Sequence, residues 1–368
     1  MLMLVGVALV LLVLYLASRK PRGYPPGPAR LPLVGYLPYL EKQGPHKQLW
    51  RLSASYGPVI GLYIGTQPTV VTNGWDAVKE SLLNDDLNGR PPNLFSEIIF
   101  NGEQRGVMFV ENDFWKEQRR FTLHNFRNLG FGKRSHEEII HEEARELIQE
   151  VQEANGSVTL QGMAGVSAIN ILWALLGGTR FSRKDARLMK LVNLLNEMFR
   201  TGNVSNVTMV LLAVCLAQHS FKLVYTEATL METFRFRGAA PLTVPHKALR
   251  DTTLQGHRIP AGTMMMNNLY SIHMDPGYWG DPETFRPERF INADGSLRRE
   301  ERLIPFGKGR RVCLGESLAR MTTFLLFTAL LQHFTFVLDP AVPVPSTEGI
   351  CGITLGPPAF KVFAKARF

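Results

Sequence analysis

The amino-acid sequence predicts a mainly α chain with a smaller β region, an α+β fold, on three observations. Charge and apolar patterning is helix-like over Asp113 to Arg127, over "SHEEIIHEEARELIQEVQEANG" (Ser135 to Gly156), and from Gly162 to Phe199. β-Branched runs broken by Gly65 and Pro68 fill Tyr56 to Asn73 as a hairpin would, and "TVPHKALRDTTLQGHRIPAGTMMMNN" (Thr243 to Asn268) reads as strands joined by glycine-containing turns. With 368 residues, 45% of them hydrophobic, the chain can bury a sizeable core.

The elements follow in order. The first 17 residues, "MLMLVGVALVLLVLYLA", carry no charge and end against "SRKPR". That length is at the short end of the ~17 to 25 residues that span a bilayer. Arg19, Lys20 and Arg22 follow the apolar run, whereas a secretory signal is basic before it. The positive flank predicts a retained anchor over 1–17 with the main domain in the cytosol. Residues 18–30 form a basic, proline-rich linker in which "YPPGP" (Tyr24 to Pro28) fixes successive φ angles and cannot be helical. The rest, 31–368, is expected to be one domain. After the hairpin, "GWDAVKESLLN" turns helical, and so does Glu227 to Phe236. Met274 to Phe290 is rich in proline and aromatic residues and irregular, and a last helix begins near Leu314. No fixed-period repeat is present, which excludes a solenoid.

Several patterns carry no chemistry. His136 and His141 beside Glu137 are five apart, not the four that put two histidines on one helix face. "LLGGTRF" (Leu175 to Phe181) lacks the Lys-Ser/Thr ending of a phosphate loop and suits a helix end. The sequons at Asn155, Asn203 and Asn206 matter only in a secreted domain. The net charge of +9 is spread along the chain without a polybasic block, which argues against nucleic acid and leaves an anionic membrane or an acidic protein as partner. The cysteines, Cys215, Cys313 and Cys351, are neither a disulfide framework nor a zinc pattern.

Chemistry concentrates in "LIPFGKGRRVCLGESLAR" (Leu303 to Arg320). Gly307, Gly309 and Gly315 permit tight turns and close backbone approach. Arg310, Arg311 and the amide donors of the helix that follows favour a thiolate at Cys313. Such a thiolate can attack a substrate, with a histidine such as His246 or His273 as base, or it can ligate a metal. With a single cysteine the metal option points away from zinc and toward iron held mainly by a porphyrin, whose propionates need Arg, His or Trp donors. Cys215 and Cys351 have no comparable setting and read as apolar positions.

"FGKGRRVCLG" (Phe306 to Gly315) resembles, position for position, the haem-binding loop of the cytochrome P450 family, with Phe306, Gly309, Arg311, Cys313 and Gly315 in its fixed places. "ETFR" (Glu232 to Arg235) is similar to that family's Glu-x-x-Arg helix, and "FRPERF" (Phe285 to Phe290) to the segment whose arginine, here Arg289, completes an ion network with Glu232 and Arg235. "WKEQR" (Trp115 to Arg119) resembles its Trp-x-x-x-Arg helix, and "VPH" (Val244 to His246) the place where a histidine meets a propionate. The anchor and "PPGP" resemble the animal microsomal members that hydroxylate steroids, fatty acids and xenobiotics.

The resemblance implies a haem-thiolate fold, haem b as cofactor, and Cys313 as the iron ligand, whose donation favours O–O cleavage. It implies Trp115, Arg119, His246 and Arg311 around the propionates and a structural network of Glu232, Arg235 and Arg289. Dioxygen, a lipophilic small molecule, an NADPH-dependent reductase and the endoplasmic reticulum membrane complete the expected setting. One part of the pattern is missing. Only 113 positions separate Arg119 from Glu232, where the family places the helices roofing the substrate pocket and a long helix with an acidic residue before a threonine. No such pair occurs between Gly162 and Tyr225, so the expected fold is internally shortened near 203–224 and the catalytic proton donors are unassigned. Phe95 to Phe109 and Ala240 to Val244 remain as candidate pocket walls. Two alternatives stand beside the monooxygenase: a shortened, catalytically impaired haem-binding remnant, and a cysteine-nucleophile enzyme without haem.

Overall fold

The structure, a computed structural model, describes residues 20–92, 101–103, 105–130, 134–154, 156–201, 224–352, 354–358 and 360–368. The expected anchor over 1–17, the three sequons, Cys215 and nearly all of the 203–224 stretch lie outside these residues. The chain divides into two compact units. The first is built from Met1–Asn93, Ala240–Thr284 and Glu301–Val312, the second from Leu94–Ala239, Phe285–Glu300 and Cys313–Phe368.

In the first unit, β1 (Val59–Ile64) and β2 (Gln67–Thr72) form the expected hairpin, paired from Val59↔Thr72 to Ile64↔Gln67 and turned at Gly65, φ 61°. Pro68 does not interrupt it. It sits inside β2 opposite Tyr63, one residue before the parallel pairing of β2 with β7 (Met264–Asn267) begins at Thr69, near the strand start where a missing donor is tolerated. β4 (His246–Lys247) pairs antiparallel with β7 and completes a sheet ordered β1-β2-β7-β4, and β5 (Thr252–Leu254) and β6 (His257–Ile259) form a separate hairpin. The strands expected between Thr243 and Asn268 are thus four short ones. α1 (Pro45–Tyr56), which the patterning did not reveal, puts Leu49 against Ile60, Leu62 and Val71. α2 (Trp75–Leu83) buries Val78 and Leu82 against Leu269, Ile272 and Ile304.

The linker is seated on this sheet. Gly61 N donates to Pro26 O at 2.8 Å, Lys20 Nζ to Gly61 O at 2.7 Å, and Tyr24 OH to Thr69 O at 3.0 Å. The approach needs a glycine at 61, because a Cβ there would stand 2.5 Å from both Pro25 O and the Tyr24 ring. Burial lowers the Lys20 pKa from 10.5 to about 8. The unfolded chain therefore binds more protons between pH 8 and 10.5, and this group's contribution to stability rises with pH across that window. The melting temperature of the parent relative to Lys20→Met should accordingly rise from pH 8 to pH 10; a constant difference would contradict the burial of a charged amine.

The second unit is mostly helical. α3 (Asn112–Asn128), α4 (Arg134–Glu153), α5 (Leu160–Gly177), α6 (Ala186–Thr201), α7 (Val224–Phe236) and α8 (Glu316–His333) cover the helix-like runs, with Gly162 to Phe199 resolved into two helices. α5 stops where "LLGGTRF" suggests: Gly178 takes a left-handed φ of 69° and its N–H caps Ala174 O at 3.0 Å. Ile140, Ile171, Leu175, Leu318 and Met321 join α4, α5 and α8 in one core. β3 (Ser157–Val158), β11 (Val362–Ala366) and β8 (Phe334–Leu338) make a three-stranded sheet, and β9 (Ile350–Cys351) and β10 (Leu355–Gly356) a hairpin with Cys351 half-buried opposite Leu355. Fully buried Glu143 is bound by Arg180, by Arg183 and by Asn170 Nδ2 at 3.2 Å, so its charge is paired. No helix among the described residues is long and apolar enough to cross a membrane.

Candidate functional site

Cys313 belongs to the second unit and immediately precedes α8, which starts at Glu316 with Gly315 as its N-cap, two residues later than the patterning suggests. The sulfur accepts from the backbone N–H groups of Gly315 and Glu316 at the helix start, the latter also donating to Cys313 O at 3.5 Å. These donors and Arg119 lower the thiol pKa, but burial raises it more, and the Glu316 carboxylate adds to the rise. The arginines and helix end do not by themselves yield a thiolate, because desolvation of a half-buried sulfur outweighs them. A cation bound directly to the sulfur would remove the proton.

Arg119 is the cation whose charge acts on the sulfur. Its own pKa is lowered by burial and supported by Cys313. On α3, one turn before it, Trp115 is buried, with the guanidinium carbon 5.6 Å from the ring centroid. Arg310, by contrast, spends its charge in the first unit on Asp85, at 2.9 Å.

The first unit holds the other predicted donors. His246 on β4 is buried, and burial, then Arg90, then Arg311 hold its pKa well below the usual imidazole range, while the Leu87 carbonyl accepts from the ring. Its Nδ1 is buried without a hydrogen-bond partner. Arg311 Nε donates to Asn88 O at 3.0 Å, and Arg90 Nη1 to Val244 O at 3.2 Å and Pro245 O at 2.9 Å. Two guanidiniums beside a histidine with an orphaned nitrogen suit an incoming carboxylate, whose charge would favour the protonated ring. Arg90 is absent from the sequence prediction: it lies in "NGRPP", and only the fold brings it to His246. Phe306 is half-buried, Gly307 and Gly309 take φ of 79° and 76°, and Gly315, at φ −104°, adopts a conformation open to any residue.

Glu232 and Arg235 on α7 meet Arg289 from the short 3₁₀ turn Pro287–Phe290. Arg235 Nε and Nη2 reach the two Glu232 oxygens at 2.7 and 2.8 Å, and Arg289 Nε reaches Oε1 at 3.1 Å. Arg286 N donates to the same oxygen at 2.8 Å. Of the candidate pocket walls, 95–100 and 104 lie outside the described residues, and Gly106–Phe109 is a single helical turn.

The donor chemistry of each unit suits part of a haem: in the second a soft sulfur ligand with two amide donors and half-buried Arg119, in the first buried Arg90 and half-buried Arg311 for carboxylates. It does not fit a metal held by side chains alone, since the described residues contain no group of three His, Cys, Asp or Glu able to hold an ion. Nor do the histidines suit a thiol-activating base. His273 Nε2 accepts from Ile304 N at 3.1 Å, and the depressed pKa of His246 makes it a weak acceptor of protons.

Comparison with known proteins gives the family. The model of the Cytochrome P450 family matches residues 25–221 and 217–364, as two segments. Similar proteins include farnesoate epoxidase of Bombyx mori, 28% identical over 479 residues and covering 97% of each chain. Cytochrome P450 2J3 of Rattus norvegicus is 27% identical over 485 residues, with 100% of this chain and 96% of the relative covered. Cytochrome P450 2D15 of Canis lupus familiaris is 29% identical over 487 residues, with 99% and 97% covered. These alignments are longer than the 368-residue chain itself, so each passes over residues of the relative that have no counterpart here.

Proposed function

Because the chain belongs to the cytochrome P450 family, whose members are haem b-dependent monooxygenases, we propose that it inserts one atom of dioxygen into a lipophilic small molecule. NADPH supplies electrons through a reductase, and the protein works at the endoplasmic reticulum membrane, held by residues 1–17. The observation that carries this is Cys313, whose sulfur receives two amide donors at the start of α8 within the loop that matches the family's haem-binding sequence. The bound haem supplies oxygen activation. The protein's own residues hold it: Cys313 as iron ligand, Trp115, Arg119, His246 and Arg311 as propionate donors, and Phe306 and Gly315 shaping the loop. Glu232, Arg235 and Arg289 fix the fold that presents them. The name of the silkworm relative, an epoxidase of farnesoate, agrees with an apolar substrate.

A second reading has its own observation. The two family matches overlap at 217–221, inside the 203–224 stretch, and the relatives' alignments are longer than this chain. We place an internal deletion there, removing the distal acid and threonine. On this reading the chain binds haem without coupling oxygen to substrate.

One experiment tests both. The chain is expressed without residues 1–17, supplied with haem, reduced and exposed to carbon monoxide, alongside Cys313→Ser. A red-shifted band present in the parent and lost in the variant is the expected result; no haem uptake by the parent would overturn both readings. Product formed in proportion to reductase-driven oxygen consumption selects the monooxygenase, and oxygen consumed without product selects the uncoupled form.

A further inference from the structure

The first turn of α8 carries a charge arrangement that the loop motif does not account for. Glu316 lies three residues after Cys313 and its backbone N–H donates to Cys313 O at 3.5 Å, and its carboxylate acts on the Cys313 sulfur with a sign that opposes ionisation. One turn on, Arg320 closes over it: Nη2 and Nε both donate to Glu316 Oε1, at 2.9 and 3.1 Å. Arg320 is held from the other side by α7, its guanidinium carbon 5.4 Å from the centroid of the Phe234 ring. Both charged side chains are only about a third exposed or less, at 26% for Arg320 and 34% for Glu316, so their field reaches the sulfur less screened than that of a solvated pair.

An i,i+4 ion pair on a helix is ordinarily a surface contact of little consequence. This one differs because its acid belongs to the residue whose backbone is bonded to Cys313 and whose charge acts on that sulfur. Uncompensated, the Glu316 carboxylate would add negative charge next to a thiolate and favour the more oxidised state of an iron held there. With Arg320 in place that charge is largely cancelled. The other charged group acting on the sulfur is Arg119, on α3, with the opposite sign to Glu316. The net field at Cys313 is therefore set by Arg119, Glu316 and Arg320 together, with the charge of Arg320 opposing that of Glu316.

We infer that Arg320 is a positioning residue that neutralises Glu316 beside Cys313 and so raises the reduction potential of a haem iron held by that sulfur. This rests on the haem-thiolate reading above and extends it to a residue outside the loop motif. Reduction potentials of haem and iron–sulfur centres respond to net charge and to hydrogen bonds at the ligating sulfur, which is the lever invoked here.

The test is a spectroelectrochemical titration of the haem-loaded full chain. Arg320→Gln is expected to lower the potential and Arg320→Lys to keep it near the parent value. Glu316→Gln is expected to raise it, and the double variant Glu316→Gln with Arg320→Gln to return it close to the parent. An unmoved potential in Arg320→Gln, or a double variant as low as Arg320→Gln alone, overturns the inference while the red-shifted carbon monoxide band of the parent upholds the haem-thiolate reading. Absence of that band in the parent overturns both. Should Arg320→Gln fail to take up haem, Glu316→Gln decides alone, and a potential that does not rise overturns the inference.

Discussion

Glu232→Ala is expected to lower the unfolding free energy by ~3 to 5 kcal/mol, the scale on which a buried ion network loses one partner. The carboxylate is fully buried and serves Arg235, Arg289 and the Arg286 amide together. Its removal leaves two guanidiniums, 1% and 9% exposed, with their shared anion gone. It also removes the buried tie between α7 and the Pro287–Phe290 turn, leaving the Tyr225–Glu288 hydrogen bond and the Phe236–Phe285 ring contact to hold segment Phe285–Glu300. Denaturant titration of the parent and the variant measures this. Replacing Glu232 and Arg235 together by methionine should cost less than Glu232→Ala, because one stranded charge leaves with its partner. Equal midpoints for parent and Glu232→Ala would mean that water reaches the network.

The second large effect is Gly309→Ala. Gly309 has φ 76°, and a Cβ on it would stand 2.3 Å from Leu82 O and 3.2 Å from Leu82 C. The conformation alone costs a residue with a Cβ ~1 to 2 kcal/mol. The carbonyl cannot yield cheaply, since Leu82 is locked in the core with Val78, Leu269, Ile272 and Ile304. The loop must move instead, taking with it the Arg311 side chain bonded to Asn88 O. Gly307→Ala is the control: φ is 79° but nothing lies within 4 Å, so it meets the backbone cost without the collision. Haem content of the purified variants, read against protein mass, should fall severalfold in Gly309→Ala and stay near the parent in Gly307→Ala. Equal retention by the two would place the constraint in φ and not in the contact with Leu82.

Much of this architecture is legible in the sequence because it rests on local patterns. Alternating charge and apolar residues mark α3 and α4, β-branched runs around Gly65 mark β1 and β2, and the double glycine at 177 and 178 marks the end of α5. What escapes is set by distant partners. α1 is an exception, since its stripe of Leu49, Leu52 and Tyr56 at helical spacing is local, and it packs on β1 and β2. The C-terminal strands are short and mostly half-exposed, so no period of two stands out, and β11 is defined by pairing to β8 and β3. The site divides in the same way. The Cys313 loop is contiguous and could be quoted, whereas Arg90 reaches His246 only because the Gly89↔Lys247 bridge joins residues far apart in the chain. At Cys313 the adjacent arginines and the helix start are visible in the sequence, whereas the desolvation that raises the free thiol is not.

The parallel pairing of β2 with β7 has a consequence for how the chain comes to be folded. Thr69 meets Met264, so the first sheet cannot close until nearly three quarters of the polypeptide has left the ribosome. Until then the β1–β2 hairpin carries an open edge, a template for wrong strand pairing, and the high contact order predicts slow assembly that benefits from chaperones. The same long closure makes the sheet tolerant of shortening in the intervening chain. Loop entropy grows only logarithmically, by about 0.6 kcal/mol per doubling of length, so loss of a block between these strands leaves the cost of bringing them together almost unchanged.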